Sequence, residues 1–360
     1  MSTSPKGLVG RIQSLDQFRG YTVLGMLFVN FLGGYLVVPA VFKHHNTYCS
    51  YADTIMPQFF FAVGFAYRLT FLKRLRTVGT AGAVGAVLNR ALGLALIGFV
   101  VYHLDGDYKK WTDLQRLGPW GVISAAFRRE FFQTLVHIAI TSVWILPVIA
   151  LGARARVLYM IASGALHFGL SWWFYKDWAL HAPVIDGGPL GFLSWSIPTL
   201  VGSLAYDAVV RGPYPWSSVG RLVAWSIGLA AIGYGLSCLG GAWAEPPFFP
   251  PADGNITLYT MSQRTGAISY LTFSAGFSIL VYAVFVVACD RFGLSIGVFR
   301  VFGVNALAAY LIHGMVAGAV KPFLPNDSPL WYLAIGVTVY LGICYVFNRS
   351  LEKHQIFLKL

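Results

Sequence analysis

Four side chains between residues 28 and 57 have the types and spacing for proton-transfer chemistry: Asn30, the adjacent pair His44 and His45, and Asp53. An imidazole titrates near pH 6.5, so it can take or give a proton at neutral pH. It can also act as a nucleophile. Asp53 has two readings, as the N-cap of the helix that follows it or as a carboxylate that orients an imidazole. Asn30 sits in an apolar run, where its amide can donate a hydrogen bond to a developing oxyanion. In an ordinary loop a histidine is solvated and idle. What gives this pair weight is its place between two strongly apolar stretches, because titratable groups there are costly unless used.

Those stretches belong to a chain of 360 residues that is 57% hydrophobic and only 11% charged. Soluble domains carry about a quarter charged residues, and the mean hydropathy here is +0.64. The composition predicts an all-α polytopic membrane bundle, a single domain over 1–360, with about ten transmembrane helices. Spans are expected near 20–41, 54–72, 85–102, 130–151, 156–174, 190–210, 219–240, 266–289, 300–320 and 330–348. The first apolar run is too long for a signal-peptide core and reads as a retained span.

The net charge of +12 would suggest nucleic acid on a soluble protein; here the cations cluster in loops and read as membrane orientation, with no nucleic-acid partner. Lys6, Arg11, Arg19, Lys73, Arg74, Arg76 and most later cations fall on the side of the N-terminus. The opposite loops are longer yet hold fewer. The positive-inside rule therefore predicts both termini in the cytoplasm and His44 and His45 at the outer face. No cysteine spacing matches a metal site; Cys49 and Cys238 both fall on the expected outer side, where they can pair.

Three outer segments are long enough to shape a site or merely to connect: 103–129, 175–189 (with Asp177, His181 and Asp186) and 241–265, which is rich in Pro. Inside the spans, Asn30, Arg68, Arg90, Gln133, His137, His167, Asn305 and His313 are polar. Each alone reads first as a hydrogen-bonded packing residue. Together, with a histidine pair at one mouth, they predict a lined cavity.

The segment RIQSLDQFRGYTVLGMLFVNFLGG at 11–34, FKHH at 42–45 and YADTIMPQFFFAVG at 51–64 resemble the start of the membrane domain of heparan-alpha-glucosaminide N-acetyltransferases and their bacterial relatives. That family shows Ser-(hydrophobic)-Asp-x-Phe-Arg-Gly, then Val-Asn, Lys-His and Ala-Asp-x-x-x-Pro. FFQTLVHIAI at 131–140, GFLSWSIPTLVGSLAYD at 191–207 and FGVNALAAYLIHG at 302–314 are similar to later pieces, in order. The family's Trp and Gly between the histidine and the aspartate are replaced here by NTYCSY, and its large lumenal segment is absent.

The resemblance implies a helical membrane acyltransferase that takes acetyl-CoA at the cytoplasmic face and acetylates an amino sugar on the far side, in the inner membrane of a bacterium. It implies a catalytic histidine at His44, by the Phe-Lys-His match, with His45 the alternative. Asn30 and Asp53 fall on the family's Val-Asn and Ala-Asp, and Asn305 and His313 on its late Asn and His. CoA carries phosphates, so its handle is expected among inner cations: Arg11, Arg19 (with Asp16 as a partner in the same block), Lys73, Arg74 and Arg76. No metal is expected. Expected partners are membrane lipid, a glycan or amino-sugar acceptor and a second copy of the chain. A transporter or flippase for a sugar or lipid is the alternative from another class, and O-acetylation of a glycan or lipid head group a nearer one.

Overall fold

Apolar runs become helices where water is scarce, because only bonds within the segment then satisfy the backbone. The computed structural model describes residues 12–103, 110–128, 131–241, 246–250 and 254–358, and every regular element among these is helical. Lys6 and Arg11, and parts of the segments expected on the outer side (104–109, 129–130, 242–245 and 251–253), lie outside the described residues.

The helices are α1 (Gln13–Leu32), α2 (Tyr51–His103), α3 (Trp111–Arg128), α4 (Thr134–Trp144), α5 (Leu146–Ile149), α6 (Ala153–Leu170), α7 (Lys176–His181), α8 (Gly191–Val210), α9 (Val219–Cys238), α10 (Ile268–Phe285), α11 (Gly297–Val304), α12 (Ala306–Val320) and α13 (Leu330–Lys353). Among the described residues, six stretches are long and apolar enough to cross a membrane: Tyr51–Tyr102, Ala153–His181, Pro215–Cys238, Ile268–Arg291, Ala306–Phe323 and Leu330–Lys353. The chain is therefore a helical integral-membrane protein. Its exterior agrees: Leu88, Leu92 and Leu96 form an exposed apolar stripe four residues apart, a face suited to lipid.

Every expected span contains a helix, with boundaries that turn chemistry shifts. The first begins earlier than 20 and ends at Leu32, not 41, because the Gly33–Gly34 pair and Pro39 follow. The expected 130–151 span is broken at Ile145, just before Pro147. The 300–320 span is broken at Asn305, whose ψ of 46° is not helical. Residues 54–72 and 85–102 lie in one long element bent at Gly79 (φ 73°, ψ −177°), a conformation open essentially to glycine alone. α8 is not among the six, and its packing explains why. It is buried on nearly all sides, so it can carry Asp207 and several serines instead of lipid-facing apolar groups.

α2 crosses α8 so closely that a Cβ on Gly64 would sit 1.7 Å from the Thr199 carbonyl oxygen, and one on Gly202 would sit 2.0 Å from that of Phe61. Below this crossing Asp207 of α8 gathers three guanidinium groups. Arg68 of α2 donates to both its oxygens at 3.2 and 3.3 Å, Arg156 of α6 donates to Oδ2, and Arg211 lies 3.8 Å away. Arg156 also donates to Ser203 at 2.8 Å, and Arg68 to the Ile149 carbonyl.

The described start and end of the chain lie at one end of the bundle. Gln17 bonds Ser295 and the Ile296 amide, Arg300 pairs with Glu352, and Asn305 holds Leu358. Cys49 and Cys238 are free thiols, and the expected pairing does not form: Cys49 is buried against Ser274.

Candidate active site

Ser50 starts α2. Its hydroxyl accepts the Asp53 amide at 3.2 Å, while the Ser50 amide and hydroxyl donate to Asp53 Oδ2 at 3.0 and 2.8 Å. This is a capping box, so the N-cap is Ser50 and not Asp53. The box fixes the carboxylate at a helix N-terminus, where negative charge is favoured. The other oxygen, Oδ1, is thereby aimed at the preceding loop and meets His44 Nδ1 at 2.9 Å. Tyr270 donates to the Asp53 carbonyl at 2.7 Å and anchors the turn to α10.

The far ring nitrogen of His44, Nε2, lies 3.4 Å from the Asn30 amide oxygen near the end of α1. The ring lines a cavity, with 43% of the side chain accessible. Burial lowers its pKa, but the hydrogen bond and charge of Asp53, with smaller contributions from Asp186 and Gln263, outweigh burial and the pKa rises above 6.5. Asp53 accepts from Nδ1–H, so the neutral ring presents a basic Nε2 to the cavity. By turning its amide, Asn30 can serve either protonation state of that nitrogen.

His45 does not share this setting. Its Nε2 lies 3.1 Å from the Ala40 carbonyl, its ring packs on Tyr48 at 4.7 Å, and its backbone amide is 3.4 Å from Asp53 Oδ2. The structure thus separates two histidines that the sequence left equivalent: one faces the cavity, the other braces the loop.

The cavity holds about 880 Å³. From α2 it takes Ala52, Ile55, Met56, Phe59, Ala62, Val63, Ala66, Thr70 and Arg74, one helical stripe. Those 22 residue steps, at 1.5 Å each, make it roughly 33 Å long, comparable with the hydrocarbon thickness of a bilayer, about 30 Å. Asn30 and His44 lie at one end; Arg19, Arg74 and Arg90 lie at the other, within electrostatic reach of one another. The middle is apolar, lined by Met26, Phe59, Leu94, Leu135 and Leu307.

The remaining expected residues divide. Arg19 lines the arginine end and lies 3.9 Å from Asp16. Arg74 lines it as well, whereas Lys73 and Arg76 are exposed and point elsewhere. Arg11 lies outside the described residues. His313 lines the cavity, with Nδ1 bonded to the Tyr310 carbonyl. Asn305 is buried outside the lining. Its amide donates to the Ile356 carbonyl at 2.7 Å and accepts from the Leu358 amide at 3.0 Å, fastening the chain's end beneath the arginines. Arg68, His137 and His167 are packing residues away from the cavity; His137 sits wholly buried beside Phe132 and Trp195.

Of three further contributors, sequence reasoning named Arg90 and Asp186 without placing them at these ends and missed Gln263. Arg90 reaches the arginine end because the Gly79 bend folds the second half of α2 back against the first. Asp186 and Gln263, from two loops far apart in the chain, close the His44 end. The Asp-Gly-Gly turn at 186–188 was the available signal for the first loop; nothing local marked Gln263.

No protein-family model matches the chain, and no curated protein matches its sequence.

Proposed function

We propose that the protein is a transmembrane acyltransferase that moves an acetyl group from cytosolic acetyl-CoA to a sugar amine or hydroxyl on the far side of the membrane. The observation that carries this reading is the His44–Asp53 pair opening into a cavity that runs the depth of the bundle to three arginines. Phosphates of CoA suit the arginine end, where Arg19, Arg74 and Arg90 supply charge-assisted donors. The apolar middle suits the slender arm that carries the thioester toward His44. The similarity of residues 11–64 to the family named above points the same way. On this reading about ten helices cross the membrane, both termini are cytoplasmic, and the His44 end faces outward.

In the chemical step, Nε2 of neutral His44 takes a proton from the acceptor nitrogen or oxygen as that atom attacks the thioester carbonyl. Asp53 holds the ring and stabilises the imidazolium. The Asn30 amide donates to the carbonyl oxygen as it becomes an oxyanion. When the tetrahedral intermediate collapses, the C–S bond breaks and the imidazolium returns its proton to the departing CoA thiolate. A route in which Nε2 itself briefly carries the acetyl group uses the same residues.

A passage spanning the bundle also serves the transporter alternative. The two separate on CoA: the acyltransferase is thermally stabilised by CoA and releases CoA thiol from acetyl-CoA in the presence of a hexosamine. Purified protein in nanodiscs that does neither sinks the proposal.

A further inference from the structure

Residues 246–250, from a proline-rich segment far along the chain, close against the loop that carries His44. The Phe248 amide donates to the Cys49 carbonyl at 2.8 Å. Cys49 is wholly buried and precedes Ser50, the N-cap of α2, so its carbonyl lies outside the helix and needs a partner from elsewhere. A second contact follows: a Cβ on Gly254 would sit 3.8 Å from the Thr47 methyl.

Phe248 holds φ +75°, a left-handed backbone that is uncommon for a bulky side chain. The Phe249 amide returns to the Pro246 carbonyl at 3.3 Å, so the four residues form a turn with Pro247 second and Phe248 third. That third place, with its positive φ, is ordinarily filled by Gly or Asn. Such strain persists only where the surroundings over-determine it. Here the ring does so: its centroid lies 6.0 Å from that of Phe273 and 5.6 Å from that of Phe277 on α10. The same face of α10 carries Ser274, 3.8 Å from the Cys49 thiol, and Tyr270, which bonds the Asp53 carbonyl. The first turn of α2 is thus held between one face of α10 and a turn that this face anchors.

We propose that Phe248 is a positioning residue for the His44–Asp53 pair: its ring, seated on α10, fixes the turn whose amide clamps the chain just before the Ser50 cap. The clamp keeps the cap and the histidine loop in register, and with them the 2.9 Å contact of Asp53 with His44. The consequence for turnover rests on the acyltransferase reading; the consequence for the imidazole does not.

The test uses the full chain in nanodiscs with isotope-labelled histidine, the His44 resonance being assigned by its loss in H44A. Phe248→Gly is the informative variant, because it removes the ring yet suits the turn, so folding is retained. The groups facing the His44 ring are Asp53, Asp186, Gln263 and Asn30, and F248G alters none of them directly. Asp53 is the main upward influence on the imidazole, so in F248G the resonance is expected to titrate at lower pH than in the native chain. A misplaced reacting group slows the chemical step, so kcat should fall about tenfold, with KM for acetyl-CoA within about threefold of native and stabilisation by CoA unchanged. Phe277→Ala removes the ring's seat and leaves the turn, and should move both readouts the same way. Phe248→Tyr keeps the ring and should restore both. Native titration of His44 in F248G and F277A overturns the assignment, and so does undiminished kcat in F248G or a shift that persists in F248Y. A shifted titration in F248G, when the native chain itself leaves acetyl-CoA intact, keeps the positioning role and removes the transfer reading.

Discussion

Asp53 Oδ1 lies 2.9 Å from His44 Nδ1, while its other oxygen is bound in the capping box of Ser50. One carboxylate thereby joins the start of α2 to the imidazole that faces the cavity. The loop carrying His44 is held at the helix that lines the whole passage, and the ring's outer nitrogen is directed inward.

The two neighbouring histidines are expected to behave differently. His44→Ala should lower acetyl transfer by about 10²–10⁴-fold, the usual range for a positioned proton-transfer group, with CoA binding retained. His45→Ala removes a contact to the Ala40 carbonyl and to Tyr48 and should leave turnover within a few-fold of native. Steady-state CoA release by the two purified variants decides this; full turnover in H44A ends the mechanism.

Asp53→Asn should change the pH profile as well as the rate. The His44 pKa is raised, with Asp53 as the main upward influence against burial. A base must be neutral to act, so the acid limb of the native kcat/KM profile is expected above pH 6.5. In D53N burial is opposed only weakly, and the limb should move to lower pH while the maximum drops. The stability linked to the pair has the opposite sign: it is full below pH 6.5 and lost as pH rises through the raised value. A limb that stays put in D53N removes Asp53 from this role.

At the other end, position along the cavity should outweigh charge. Arg74→Ala and Arg90→Ala each lose a lining guanidinium and should weaken CoA binding about tenfold or more, since a hydrogen bond to a charged group contributes roughly 1.5–3 kcal/mol. Lys73→Ala and Arg76→Ala, both exposed, should bind CoA as the native chain does. Calorimetric titration with CoA is the measurement, and equal losses in all four variants would mean a diffuse cationic surface instead of a site.

Asp207→Ala should act on the fold alone. It leaves Arg68 and Arg156, buried on α2 and α6, without their carboxylate. Removing one partner of a buried pair typically costs about 3–5 kcal/mol. A large drop in melting temperature in detergent is expected, with CoA affinity unchanged in whatever folded fraction survives. Native-like melting of D207A contradicts the assigned packing role.

The amino-acid sequence by itself determined the apolar runs, the helical class and the cluster of titratable residues around His44, since each depends on composition or on residues close in the chain. It also held the Ser50-x-x-Asp53 signature of a capping box, although Asp53 first reads as the cap. Tertiary structure alone decided which histidine faces inward, because that turns on a carboxylate oxygen left over from a helix cap. It alone brought Arg90 beside Arg19 and Arg74, through a glycine bend in mid-helix, and set Asp186 and Gln263 together from loops 77 residues apart. It also reassigned Asn305 from the cavity to the chain's end. Such placements follow from where helices cross and loops meet, and close crossings like that of Gly64 and Gly202 exist only once the whole bundle is packed.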